Sequence, residues 1–126
     1  MNILFLANLV PYPLDNGGKM KTFTTIKALS ENNEIDLLCF YEKESVIQAK
    51  EVLQQYCRNI VLLPIRVTTS ENKIYMINNA IKCLFTKEPL NVFKYRKKQM
   101  MTEIESMMSE NKYDVIYYNY LHMYLY

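Results

Sequence analysis

Short apolar runs alternate along this chain with longer stretches in which apolar residues return every three or four positions. Residues 3–7 (Ile3, Leu4, Phe5, Leu6, Ala7) form the first run. They lack the polar alternation of a strand with one wet face, which predicts a strand buried on both sides. Over 19–31, Met20, Phe23, Ile26 and Leu29 make a helical stripe that faces that strand, and Ser30, Glu31, Asn32 and Asn33 stop it. Residues 35–41 are again short and apolar, a second strand. Between 42 and 57, Val46, Ala49, Val52, Leu53 and Tyr56 give the apolar face of a second helix. Residues 60–64 make a third strand, ended by Pro64, which has no amide to donate to a ladder.

Further on, Ser70 is placed to cap a third helix whose stripe is Ile74, Ile77, Ile81, Leu84 and Phe85, closed by Glu88 and Pro89. The capping signal is partial, because Lys73 stands where a capping box has Glu. A fourth helix carries Met100, Ile104, Met107 and Met108 and ends near Asn111 and Lys112, and residues 114–119 form a fourth strand. Strands alternating with helices imply right-handed crossovers between parallel strands. The expected class is therefore α/β, a Rossmann-like parallel sheet of about four strands with helices on both faces. The aromatic stretch 120–126 follows the last strand without polar closure. That predicts apolar surface suited to a partner, and it makes the chain read as the front part of a longer protein.

Composition narrows the function classes. With 126 residues, half of them apolar and 22% charged, the chain is long enough for one domain with a core and too apolar for disorder. A net charge of +2 gives no electrostatic footprint for nucleic acid. Cys39, Cys57 and Cys83 are odd in number and lack paired-ligand spacing, so they read as reduced, buried thiols. The apolar N-terminus lacks a basic n-region and is cut short by Pro11, and no run reaches the length of a membrane span. A cytoplasmic location is expected.

The two glycines of the chain are neighbours, Gly17 and Gly18, and both fall at the first strand-to-helix junction. Two readings stay open at this point. Glycine there lets backbone amides and a helix dipole approach an anion closely, or it simply permits a positive φ in a turn. A single histidine, without clustered thiols or carboxylates, offers no metal site.

Taken in order, these residues carry a family resemblance. Met1 leads into Ile3-Leu4-Phe5-Leu6. Pro11-Tyr12-Pro13-x-Asp15-x-Gly17-Gly18 follows, with a basic residue at Lys21, and then Leu29-Ser30-x-x-x-Glu34-Ile35-Asp36-Leu37-Leu38-Cys39-Phe40. Tyr113-Asp114-Val115-Ile116 and Leu121-His122-Met123 match further on. The chain resembles the N-terminal domain of GT-B fold glycosyltransferases, specifically the retaining, nucleotide-sugar-dependent family 4. The likeness is densest over 1–40 and 113–123.

The resemblance implies an acceptor-side domain, inactive alone, that works with a second, nucleotide-binding Rossmann-like domain. It implies a nucleotide-sugar donor, a saccharide or lipid-linked acceptor, a role in polysaccharide assembly, and no cofactor or metal. Gly17, Gly18 and Lys21 would lie against the donor diphosphate, with Lys21 standing where relatives often have arginine. Asp15, Asn119 and His122 are acceptor-side candidates. Tyr117 and Asn119 stand where relatives often have histidine.

Lipid-linked acceptors also give a meaning to the aromatic and basic cluster Phe93-Lys94-Tyr95-Arg96-Lys97-Lys98. Residues 74–98 are expected near the inner face of the membrane, as a peripheral contact. Two other classes compete. A receiver-like binding module would need acidic residues after its first strand and an aspartate at its third, regions occupied by Asn8 and Pro64. An interaction module without chemistry would self-associate through its open sheet edge and tyrosine-rich tail.

Overall fold

The structure is a computed structural model, and it describes residues 1–42, 46–65, 95 and 97–126, without the side chains of His122 and Leu125. The predicted third helix from Ser70 to Pro89, Cys83, and most of the 74–98 segment, including Phe93, Lys94 and Arg96 of its basic cluster, lie outside the described residues.

Four strands, β1 (Asn2–Ala7), β2 (Glu34–Tyr41), β3 (Asn59–Pro64) and β4 (Val115–Tyr118), form one sheet in the order β3-β2-β1-β4. Every pairing is parallel, with Phe5 beside Leu37 on one side and Tyr117 on the other. Among the described residues the helices are α1 (Gly17–Ser30), α2 (Val46–Leu53) and α3 (Lys98–Glu110), and a short 3₁₀ turn (Leu121–Leu125) follows β4. The α/β, Rossmann-like class read from the sequence is the class observed.

Because β1 lies between two strands and two helical layers, its side chains from Ile3 to Ala7 are all buried. Strand alternation sorts them. Phe5 and Ala7 join Ile35, Leu37 and Cys39 under Ile26 of α1 and Leu53 of α2. Leu4 and Leu6 join Leu38 and Phe40 under Met100, Ile104 and Met107 of α3. The chain moves one way along the sheet from β1 to β3 and then jumps back past β1 to β4. Right-handed crossovers in opposite directions put their helices on opposite faces, which is where α1 with α2 and α3 are found.

Two stripes differ from expectation. Met20 is 52% exposed, and its place against the sheet is taken by Thr22, which is 2% exposed. A strict three-residue step drifts about 60° per repeat around a 3.6-residue helix, so Met20 and Leu29 fall on different sides. Likewise Met107 is buried and its neighbour Met108 is exposed. Strand β4 is also shorter than 114–119, and its odd residues Val115 and Tyr117 remain partly open to solvent.

At the amino edge of the sheet lies a polar cluster that the sequence did not announce. Asp36 is 1% exposed within β2. It accepts from Arg58 Nε at 3.0 Å and Nη2 at 2.7 Å, and from the Tyr113 hydroxyl at 2.6 Å. The same guanidinium reaches Glu34 at 2.6 Å. Burial pushes the Asp36 carboxyl up, but hydrogen bonds from Arg58 and Tyr113 outweigh it and hold the group below the usual carboxylate range. Cys39 and Cys57 are buried free thiols, and burial pushes Cys57 up to about 12. Among the described residues no helix is long and apolar enough to cross a membrane.

Candidate functional site at the carboxyl edge of the sheet

Between β1 and β4 the connections leave the sheet in opposite directions, so the carboxyl ends of these two strands diverge into a crevice. Open α/β sheets bind ligands at such a switch point. Here the crevice receives Asn8 and Leu9 from the end of β1, Tyr120 from the end of β4, and the first turns of α1. Together Asn8, Leu9, Asn16, Gly18, Lys19, Thr22 and Tyr120 line a cleft of about 80 Å³.

Helix α1 begins on the glycines themselves. Asn16 is its N-cap, in extended backbone conformation, and its Oδ1 accepts from the Lys19 amide at 3.0 Å. Asparagine is favoured here because a short side-chain oxygen reaches the third amide of the first turn. Gly17 and Gly18 therefore supply the first two helical amides, and neither amide meets a hydrogen-bond acceptor among the described residues. Neither glycine has a positive φ, which removes the reading of the pair as a turn requirement.

The two positions differ. A Cβ on Gly17 would meet no heavy atom within 4 Å, whereas one on Gly18 would lie 3.0 Å from the Tyr120 hydroxyl and 3.3 Å from Asn16 Oδ1. At Gly18 the missing side chain admits Tyr120; at Gly17 it leaves open space above a free amide.

Hydrogen bonds join the end of β4 to α1. The Asn119 amide donates to Leu6 O at 3.0 Å and extends the β4–β1 ladder. Its side chain donates to Thr22 Oγ1 at 2.7 Å, and that hydroxyl donates to Gly18 O at 2.9 Å. This accounts for a buried threonine in the helix: it satisfies Asn119 and returns its own proton to the turn above. Asn8 in turn hydrogen-bonds the buried Tyr95.

Among the described residues, Lys19 is the cation that lines the cleft. Its Nζ lies 2.9 Å from Asp15 Oδ2, while Asp15 Oδ1 accepts from Asn16 Nδ2 at 2.8 Å. The hydrogen bond from Lys19 holds the Asp15 carboxyl below the usual carboxylate range, against the opposing effect of desolvation. The charge at the mouth is thus internally balanced, and an incoming anion competes with Asp15 for the ammonium.

Of the residues singled out in the sequence, Gly18 lines this cleft, and Gly17, Asp15 and Asn119 lie immediately around it through the contacts above. Lys21 is exposed and borders a different surface depression, with Met20, Thr24, Thr25, Ala28 and Leu29. His122 is the second residue of the turn that follows Tyr120. Asn16, Lys19, Thr22 and Tyr120 were not singled out. An asparagine directly before a helical pattern is a readable cap signal, but Thr22 and Tyr120 acquire their roles only once β4 is placed beside β1.

No protein family, curated protein or solved structure matches this chain. Among the described residues no group of His, Cys, Asp or Glu is arranged to hold a metal ion.

Proposed function

We propose that this chain is the acceptor-side, Rossmann-like part of a GT-B glycosyltransferase, moving a sugar from a nucleotide diphosphate donor to a saccharide or lipid-linked acceptor. The observation that carries the reading is the pair of unpartnered amides at Gly17 and Gly18, opening α1 at the switch point between β1 and β4. Helix amides at such a point favour a phosphate through hydrogen bonding and the helix dipole. The resemblance over 1–40 and 113–123 supplies the reaction class.

In this reading the distal donor phosphate rests against the two amides, and Lys19 turns from Asp15 toward it. As the bond from sugar to diphosphate breaks, negative charge grows on the departing oxygen, and donors fixed beforehand stabilise it without reorganisation. Asp15, released from Lys19, and Asn119 are placed to orient acceptor hydroxyls. A cleft of about 80 Å³ suits one phosphate-sized group, because whole small-molecule ligands fill roughly 300–1,000 Å³. Most of the nucleotide and its specificity are therefore assigned to a second domain, and the location to the cytoplasmic face where nucleotide-sugars are made.

Titration of the ¹⁵N-labelled chain with pyrophosphate and with nucleotide-sugars tests this. Amide shifts centred on Gly17, Gly18 and Lys19 are expected, with weak affinity of about 1 mM. Silence at these amides up to roughly 20 mM ligand would remove the reading.

A further inference from the structure

We infer that Thr22 is a positioning residue: through its hydroxyl, the end of β4 holds the first turn of α1 in the shape that aims the Gly17 and Gly18 amides. The purpose of this arrangement rests on the phosphate site proposed for those amides.

Two successive glycines make a poor start for a helix, because each has more backbone freedom to lose than any other residue and no side chain to pack. At Gly17 the side-chain position touches nothing. What steadies the turn must come from outside it. The contacts converge on one peptide unit, the bond between Gly18 and Lys19. Its N–H donates to Asn16 Oδ1 at 3.0 Å, and its carbonyl accepts from Thr22 Oγ1 at 2.9 Å. Because a peptide unit is planar, holding it at both ends removes the rotation by which a glycine turn frays.

The Thr22 end of this clamp is anchored in the sheet. A hydroxyl has a single proton, and that of Thr22 goes to Gly18 O. Its oxygen is therefore an acceptor, and Asn119 turns Nδ2 toward it at 2.7 Å. Asn119 is fixed in turn by its own amide, which donates to Leu6 O of β1 at 3.0 Å. The relay runs from β1 through Asn119 and Thr22 to Gly18. Tyr120 adds a longer contact to the same carbonyl, at 3.4 Å. A threonine bonding back to the carbonyl four residues earlier is common in helices and says little by itself. Here the same hydroxyl is 2% exposed and also receives a donor from the sheet, so its direction is set by β4. Donors fixed before a ligand arrives bind it without the cost of ordering them.

Amide hydrogen exchange and pyrophosphate titration of the ¹⁵N-labelled chain test this in parallel. Thr22→Val removes the hydroxyl and keeps the volume. It should speed exchange of the Lys19 amide about fivefold relative to Leu37 in β2, and weaken pyrophosphate binding by about the same factor. Thr22→Ser restores the hydroxyl and should match the native chain in both. Asn119→Ala should act like Thr22→Val, and the double variant should lose no more than either alone, since the two residues form one relay. If Thr22→Val does not fold, Asn119→Ala carries the same comparison. Tyr113→Phe, at the opposite edge of the sheet, controls for general loss of stability and should change neither measurement. Native exchange at Lys19 in Thr22→Val overturns the inference, as does Thr22→Ser behaving like Thr22→Val. A native chain indifferent to pyrophosphate removes the phosphate site alone, because exchange at Lys19 still decides whether Thr22 holds the turn.

Discussion

Gly17 and Gly18 lack side chains for different reasons, and the difference can be measured. Alanine at Gly17 meets open space in a helical conformation. It should leave the fold unchanged or stabilise it by about 0.5 kcal/mol, through the lost freedom of the unfolded chain. The same methyl crowds the approach to the two amides, so pyrophosphate binding should fall severalfold while the melting temperature holds or rises. Alanine at Gly18 presses on the Tyr120 hydroxyl at 3.0 Å. That change should cost about 1 kcal/mol in thermal or urea unfolding, because a tyrosine ring has little room to yield. If the two alanine variants behave alike in both measurements, the distinction drawn between the positions is wrong. Asp15→Asn frees the Lys19 ammonium from its ion pair and should tighten pyrophosphate binding, a change read by calorimetry or by the same amide shifts.

Elements are tied together by side chains at the amino edge of the sheet. Arg58, just before β3, and Tyr113, just before β4, both converge on Asp36 in β2. Three segments distant in sequence are thus fastened to one buried carboxylate. Removing one partner is more damaging than the pair is stabilising, since the remaining charge stays buried. Arg58→Ala should therefore destabilise by about 2 kcal/mol, less than a fully enclosed pair because the guanidinium is 39% exposed. Tyr113→Phe, which loses one hydrogen bond to a charged group, should cost about 1.5 kcal/mol.

The pH dependence follows from the same carboxylate. Asp36 titrates lower in the fold than in the unfolded chain, so between the two values the unfolded state binds more protons. Its contribution is fully present above the unfolded value of about 3.9 and is lost as pH falls through the folded one. Urea midpoints measured from neutral pH downward should decline in that acid window for the native chain. In Arg58→Gln the decline should be shallower, because the carboxyl loses the partner that depresses it.

At the scale of the whole molecule the strand order decides where chemistry is placed. Because β4 returns beside β1 instead of beyond β3, Asn119 and Tyr120 arrive over the start of α1, about a hundred residues away in sequence. The crevice so formed is small. The chain by itself should bind pyrophosphate weakly and transfer no sugar, because a cleft of this size leaves the nucleotide ungripped. Sustained transfer or donor hydrolysis by these 126 residues, followed with a radiolabelled donor, would contradict the acceptor-side assignment.

Some of this organisation was legible in the chain. The apolar run at residues 3–7 read as a strand buried on both faces, and Ala49 with Leu53 as part of the inner side of a helix, and both are so placed. The paired glycines marked the junction where the cleft lies. Periodicity is a local property, set by the backbone repeat within a few residues, and so it survives in sequence alone. Other features had no local trace. Met107 and Met108 look alike in sequence, and only the phase of α3 against the sheet buries one and exposes the other. Asp36 reads as a stray polar residue in an apolar strand until Arg58 and Tyr113, 22 and 77 residues away, reach it. Lys19 faces the cleft and Lys21 does not, a choice made by helix phase relative to Tyr120. Short-range patterning was enough for the class of fold and the junction. The pairing of distant segments decided the site's lining, its charge balance and the buried carboxylate, because these arise from contacts that exist only after the strands have chosen their neighbours.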